Sequence, residues 1–291
     1  PDFDAVRDHP RFKAMMAVGM LLSGITMYIL VQARFGRVSG ILAGILYAFA
    51  PYHAVQLYVR GAVGELWAYA LLPLLFVRRR FWISGVALAG IILSHTIFGY
   101  MTVGFYLIGL VLYALILLFK KRFHFSLFTF HFSLLSVGLR LSAFFWLPAI
   151  AEMGYTNVAG QIGATANFRD HFVCIPQLWN SLWGFGGSVP GCIDGMSFKI
   201  GKVHILLAIL GAVLGLYSVR FFIIIGMVSV FLVLGISRGV WDFLPGFAYV
   251  QYPWRLLAAI AFSTSVLGGS IIFWIRQRWA KIGAFTILLI A

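Results

Sequence analysis

The chain has 291 residues, 62% of them hydrophobic and only 10% charged, with a mean hydropathy of +0.97. A soluble domain carries about 25% charged residues, so the composition excludes a soluble globular enzyme, and its apolar content excludes a disordered chain. Twenty-two Lys and Arg against eight Asp and Glu give a net charge of +14; these basic residues stand between apolar blocks, which points to orientation in a membrane rather than to nucleic acid.

A helix that crosses a bilayer needs about 20 predominantly apolar residues. In chain order the candidate segments are 12–33, 37–51, 64–77, 81–98, 99–119, 127–150, 203–219, 221–236, 255–275 and 281–291. The gaps between them alternate in charge. One set holds Arg34 and Arg37, then Arg78 to Arg80, Lys120 to Arg122, Arg220, and Arg276, Arg278 and Lys281, with no acidic residue among them. The other set holds every acidic residue, Asp2, Asp4, Asp8, Glu65, Glu152, Asp170, Asp194 and Asp242, together with nine basic ones: Arg7, Arg11, Lys13, Arg60, Arg169, Lys199, Lys202, Arg238 and Arg255. Short basic gaps face the cytoplasm, which places residues 1–13 outside. The chain is read as an all-α polytopic transmembrane bundle of nine to ten spans. It forms a single domain over 1–291 with one long extracytoplasmic loop over 151–202, in a bacterial plasma membrane. It opens on Pro1 and closes inside the apolar run 282–291, and is taken as a piece of a longer protein cut at both ends.

The outer gaps are longer and richer in Gly, Pro, Trp and Tyr, and loops on a rigid scaffold carry function. The working face is therefore expected to be extracytoplasmic. The first constellation is Pro51-Tyr52-His53, then Gln56, Tyr58-Val59-Arg60-Gly61 and Glu65. His53, Gln56 and Arg60 fall at i, i+3 and i+7, one face of a helix. Glu65 joins them only if the chain breaks at Gly61 or Gly64. Arg60 suits an anionic phosphate, and Glu65 suits a base or a metal ligand. An interfacial helix with a structural Arg–Glu pair is the plainer alternative. His95, in Ser94-His95-Thr96, is either a histidine bonded within the bundle or part of the same cavity as Glu65. Arg140 falls mid-helix, where a charge is a functional candidate by default unless it snorkels.

The long loop carries Asn167 to Phe172 and the run 179–188 with Trp179, Trp183 and Phe185. Such residues stack on sugars, with Trp183 as the candidate, or form an aromatic belt on the bilayer. Cys174 and Cys192 lie in this one loop and suggest a disulfide, worth about 3 kcal/mol in the chain-entropy model; two unpaired thiols are the alternative. In the last outer gap, Tyr252-Pro253-Trp254-Arg255 precedes a helix. An Arg at a helix N-terminus makes an anion site or anchors at the interface. No Walker loop, G-x-G-x-x-G, G-x-S-x-G or H-E-x-x-H is present, so nucleotide hydrolysis, dinucleotide chemistry and zinc proteolysis have no support in the sequence.

Pro51-Tyr52-His53 with Leu57 to Ala62 and Glu65, then Ser94-His95, Asp194-Gly195-Met196-Ser197-Phe198 with Gly201-Lys202, and Gln251 to Arg255, carry a resemblance across most of the chain. The sequence resembles the bacterial polytopic proteins grouped as 6-pyruvoyl-tetrahydropterin synthase-related membrane proteins. It is similar to membrane glycosyltransferases of the GT-C type, including the YfhO-like and dolichyl-phosphate-mannose transferase groups. The resemblance implies a polyprenyl-phosphate-linked sugar as donor and a carboxylate base in the first outer loop. Here Asp2, Asp4 and Asp8 stand where the tail of that loop would be, and none matches the catalytic motif. Glu65, in the second outer loop, is the candidate base. Arg60 and Arg255 would hold the donor phosphate, with His53 and His95 in support, Trp183 on the sugar, and membrane lipids as partners. The sequence names no cofactor and leaves a divalent metal open. A transporter or flippase for a lipid-linked glycan is the rival reading, with Arg140 lining its path; a non-catalytic membrane subunit is the third.

Overall fold

A computed structural model describes residues 10–77, 80–119, 125–157 and 167–290. Asp2, Asp4, Asp8, Arg78, Arg79 and the basic turn 120–122 lie outside the described residues. The fold is all-helical; among the described residues the only β pairing is two isolated bridges. Apolar, water-free surroundings favour this outcome, because a helix satisfies its backbone groups within one segment.

By length and apolarity, four helices can cross a membrane: α1 (Pro10–Phe35), α6 (Thr96–Phe119), α10 (Lys202–Val233) and the stretch Pro253–Gln277 at the start of α12 (Leu257–Ile290). The number rises to six if two bent pairs are each one span. These are α2 (Arg37–Ala48) with α3 (Pro51–Val59), bent by 45°, and Thr129–Leu141 of α7 (Phe125–Leu141) with α8 (Ala143–Ala151), bent by 73°. Val63–Phe76, which begins with α4 (Val63–Leu71), and α5 (Phe81–Ser94) are shorter apolar helices. Within the described part of 151–202 the longest helix is the five-residue α9 (Ile175–Trp179), and the six-residue α11 (Arg238–Phe243) lies between α10 and α12 in the chain.

The chain folds as two compact units. The first comprises Pro1–Gly61, Arg169–Arg238 and Pro253–Ala291; the second comprises Ala62–Phe168 and Gly239–Tyr252. In the first unit, Gly36 separates α1 from α2 at φ 86°, a left-handed conformation that costs glycine nothing. The two helices then fold back on each other. A Cβ on Gly44 would lie 2.7 Å from the Gly24 carbonyl oxygen, so only glycine allows this approach, the small-residue packing expected between membrane helices.

The 32 residues of α10 do not run straight. Gly215 leaves helical geometry (φ −121°, ψ 20°). Ile200, just before the helix, donates its N–H to the Leu178 carbonyl at 3.0 Å, and Val173 donates to Val233 at the other end, also at 3.0 Å. Five residues of chain span at most about 18 Å, whereas a straight 32-residue helix is about 48 Å long. α10 therefore doubles back near Gly215, and both of its ends lie beside 173–178. The sequence places a break between 219 and 221; the fold puts the departure four residues earlier. Arg34, in the last turn of α1, donates Nη2–H to the Ser218 carbonyl at 2.8 Å. The gaps at Arg34 and Arg220, of like charge in the sequence, thus share one end of this unit.

Two expectations change in the second unit. Segment 127–150 is interrupted at Ser142, whose Oγ donates to the Gly138 carbonyl at 2.8 Å while Trp146 Nε1 donates to the Leu139 carbonyl at 2.9 Å. Arg140 is accordingly not mid-helix. It lies exposed in the last turn of α7, where a cation meets the negative end of the helix dipole.

We expect a cysteine placed at Ser218 to react with a membrane-impermeant maleimide from the opposite side of a sealed vesicle to one placed at Asp170. Reaction from the same side would mean that α10 does not turn back.

Candidate functional site

At the loop end of the first unit, Pro51 opens α3 after Ala50, whose extended backbone (ψ 137°) is what a following proline imposes. The helix begins as an α-turn over Pro51–Ala54 and continues as a π-turn over Val55–Val59. The wider turn breaks the 3.6-residue spacing that would place His53, Gln56 and Arg60 on one face. His53 and Gln56 stay together and buried: His53 Nδ1 lies 3.2 Å from Gln56 Oε1, and its Nε2 lies 3.2 Å from Ser23 Oγ. Ser23 donates its own proton to the Met20 carbonyl at 2.7 Å. With a neighbour on each ring nitrogen, His53 holds α3 against α1 rather than standing open to a substrate.

Arg60 ends the π-turn, and Gly61 follows at φ 55°. The Arg60 guanidinium lies over the indole of Trp254, 4.6 Å from the ring centroid. Arg255, 6% exposed, lies over the same ring at 5.8 Å. Both residues of the pair Trp254-Arg255 belong to the short 3₁₀ turn Pro253–Leu256, directly before α12. Tyr52 and Phe198 complete the setting, with ring centroids 6.4 and 6.5 Å from Trp254. Each cation over an indole contributes up to about 2 kcal/mol when desolvated. Two guanidiniums are thus brought to one buried ring. Trp254 was missed as an organising residue in the sequence; the signal was the aromatic directly beside Arg255.

Glu65 and His95 belong to the second unit. Glu65 lies in the first turn of α4 and is 0% exposed. A carboxylate near the positive end of a helix dipole is favoured there. Its neighbour Gly64 presses against the end of α5: a Cβ on it would lie 2.3 Å from the Ser94 carbonyl oxygen and 3.7 Å from His95 Cβ. The structure therefore brings the segments carrying Glu65 and His95 side by side. His95 Nδ1 accepts the Phe98 N–H at 3.1 Å, which caps the first turn of α6. That contact agrees with the reading of His95 as a histidine bonded within the bundle.

Cys174 and Cys192 form a disulfide with a Cα–Cα distance of 5.6 Å. Asp194, two residues on, ties the loop from within. Its Oδ1 accepts from Gln177 Nε2 at 2.9 Å and Ser181 Oγ at 2.6 Å, and its Oδ2 accepts from the Leu182 N–H at 3.0 Å. Partial burial works against ionisation, but these donors outweigh it and hold the carboxyl below the ordinary Asp value. His171 is pushed down by burial, against the raising effect of Asp170, and bonds Ser188 Oγ at 2.9 Å. Trp183, the sugar-stacking candidate, is partly exposed with its ring edge-on to Phe185 at 6.3 Å. Among the described residues no group of three or more His, Cys, Asp or Glu side chains converges as a metal site. Compared with known protein families, curated proteins and solved structures, the chain matches none.

Asp194 ionises more readily in the folded loop than in the unfolded chain. The carboxylate thus stabilises the loop at neutral pH, and this contribution is lost as pH falls through the folded-state value. We expect limited proteolysis of the 174–192 region to accelerate on acidification below the ordinary Asp range in the wild type. Asp194→Asn should be cut faster at neutral pH, with little further change in acid; equal cutting of both proteins at neutral pH would contradict the role given to this residue.

Proposed function

We propose that the protein is a membrane glycosyltransferase of GT-C type, moving a sugar from a polyprenyl-phosphate-linked donor to an extracytoplasmic acceptor. The observation that carries this reading is the convergence of Arg60 and Arg255 on Trp254 at the loop end of the first unit. Two guanidiniums beside an aromatic wall suit a lipid-linked phosphate, with fork-like donors for its oxygens and apolar surface for the first isoprene units. Arg255 also sits at the start of α12, whose dipole adds to the attraction for an anion.

In this reading Glu65 is the general base that takes the acceptor hydroxyl proton as oxygen attacks the anomeric carbon, and the lipid phosphate leaves with the bonding electrons. Arg60 and Arg255 stabilise the charge gathering on that phosphate. His53 and His95 act as positioning residues, through the α1–α3 contact and the α6 cap respectively. Trp183 offers a stacking surface to the sugar. The finer architecture proposed is nine to ten spans with the loop over 151–202 on the extracytoplasmic face of a bacterial plasma membrane. The turn within α10 and the sharing of one end by Arg34 and Ser218 support that arrangement. A transporter reading needs Arg140 inside the bundle, whereas it is exposed at the end of α7.

The test uses full-length protein in vesicles with radiolabelled polyprenyl-phosphate sugars and a crude acceptor extract. Glu65→Gln should lower turnover by about 10²- to 10⁴-fold, the range for removing a general base. Arg60→Ala should cost about 10²-fold, as for loss of one charge-stabilising donor. Turnover unaffected by either change, in folded variants, would overturn the assignment. No turnover with any donor would favour a carrier of lipid-linked glycans instead.

A further inference from the structure

The loop closed by Cys174–Cys192 presents large apolar side chains outward. Ile175 is 72% exposed, Leu182 73%, Phe185 75% and Ile193 66%. Ties inside the loop hold the stretches that carry them around Asp194. Ile175 and Ile193 each follow a cysteine of the disulfide. Leu182 is held by its N–H to Asp194. Phe185 pairs with Met196 in an isolated bridge, and Gly186 donates to the Gly195 carbonyl at 2.8 Å. Large apolar side chains held outward on one cross-tied loop mark an interaction surface.

Its position narrows the occupant. Leu178 is bonded to Ile200, two residues before α10 begins, and Val173 is bonded to Val233 at the other end of that helix. The loop is therefore fastened to the mouth of a membrane-crossing candidate and cannot stand far from the lipid surface. Basic residues flank it: Lys202 lies with Nζ 5.6 Å from the centroid of the partly exposed Trp179 ring, and Lys199 precedes Ile200. Apolar tips, the Trp179 ring and flanking lysines together suit acyl chains, carbonyl region and anionic headgroups.

We propose that the disulfide-closed loop 174–192, with Ile193, is a bilayer anchor, dipping Ile175, Leu182, Phe185 and Ile193 into the lipid interface. This surface is independent of the donor site around Trp254. The anchor would hold the loop end at headgroup depth, and its internal ties keep the apolar side chains from collapsing onto the loop itself.

The experiment places single cysteines at Leu182, Phe185 and Ile193, with the native disulfide intact, and attaches a nitroxide to each in full-length protein. Vesicles contain phosphatidylcholine and phosphatidylglycerol. Power saturation compares collisions with oxygen, enriched in lipid, and with a water-soluble nickel chelate. The proposal expects an oxygen-to-nickel ratio several-fold above that at Arg169→Cys, an exposed polar position, at all three sites. Ratios equal to that control would place the patch in water, and exclusion of both reagents would mean protein covers it; either overturns the proposal. Quenching of tryptophan fluorescence by brominated lipid gives a label-free check. Replacing Trp179 by Phe should remove a measurable share of the quenching, and an unchanged share would contradict the anchor.

Discussion

Two main-chain hydrogen bonds, Ile200 to Leu178 and Val173 to Val233, fasten both ends of a 32-residue apolar stretch to one short piece of chain. The geometry of the first unit follows from that double tie. A helix whose ends are held so close has to reverse, and it does so where Gly215 gives way. The reversal leaves Ser218 beside Arg34 at the opposite end. It also aligns α10 along α12, with Phe222 against Phe262 at 5.8 Å and Ser263 donating to the Phe222 carbonyl at 2.5 Å. The disulfide and the Asp194 bonds keep the 173–200 segment stiff enough to serve as the fixed point.

The same fixed point builds the candidate site. Phe198 sits between the loop and the start of α10, and its ring meets Trp254 at the head of α12. Tyr52 comes to Trp254 from α3, and Arg60 comes over it from the end of the π-turn. Three stretches of chain far apart in sequence therefore contribute to one aromatic wall with two guanidiniums upon it. Cation–π attraction of about 2 kcal/mol each is small beside the cost of desolvating two like charges. The proposed donor site rests on this meeting of two guanidiniums at one ring.

Much of this was legible in the sequence, and the losses have identifiable causes. The sequence groups Arg34 with Arg220 by the absence of acidic residues in their gaps, and the fold brings Arg34 to Ser218, two residues from Arg220. The cysteine pair was visible from its confinement to one loop. The shared face of His53, Gln56 and Arg60 was not recoverable, since a 3.6-residue template assumes an α-turn and Val55–Val59 takes a π-turn. Arg140 was misplaced because segment 127–150 is mostly apolar, and composition gave no sign that Ser142 would interrupt it. His95 as a cap and Asp194 as a knot depend on contacts that no spacing encodes. Trp254 lay in view beside Arg255, but its link to Arg60 spans nearly two hundred residues and only the fold supplies it.

The most direct measurement of the central claim is photo-crosslinking of the full-length protein in vesicles with a diazirine-bearing polyprenyl phosphate, followed by mapping of the labelled peptides. The account predicts label concentrated in 52–60, 198–200 and 253–256, competed by unmodified polyprenyl phosphate and reduced in Arg60→Ala. Label spread over the lipid-facing length of Thr96–Phe119, with none around Trp254 and no competition, would contradict it.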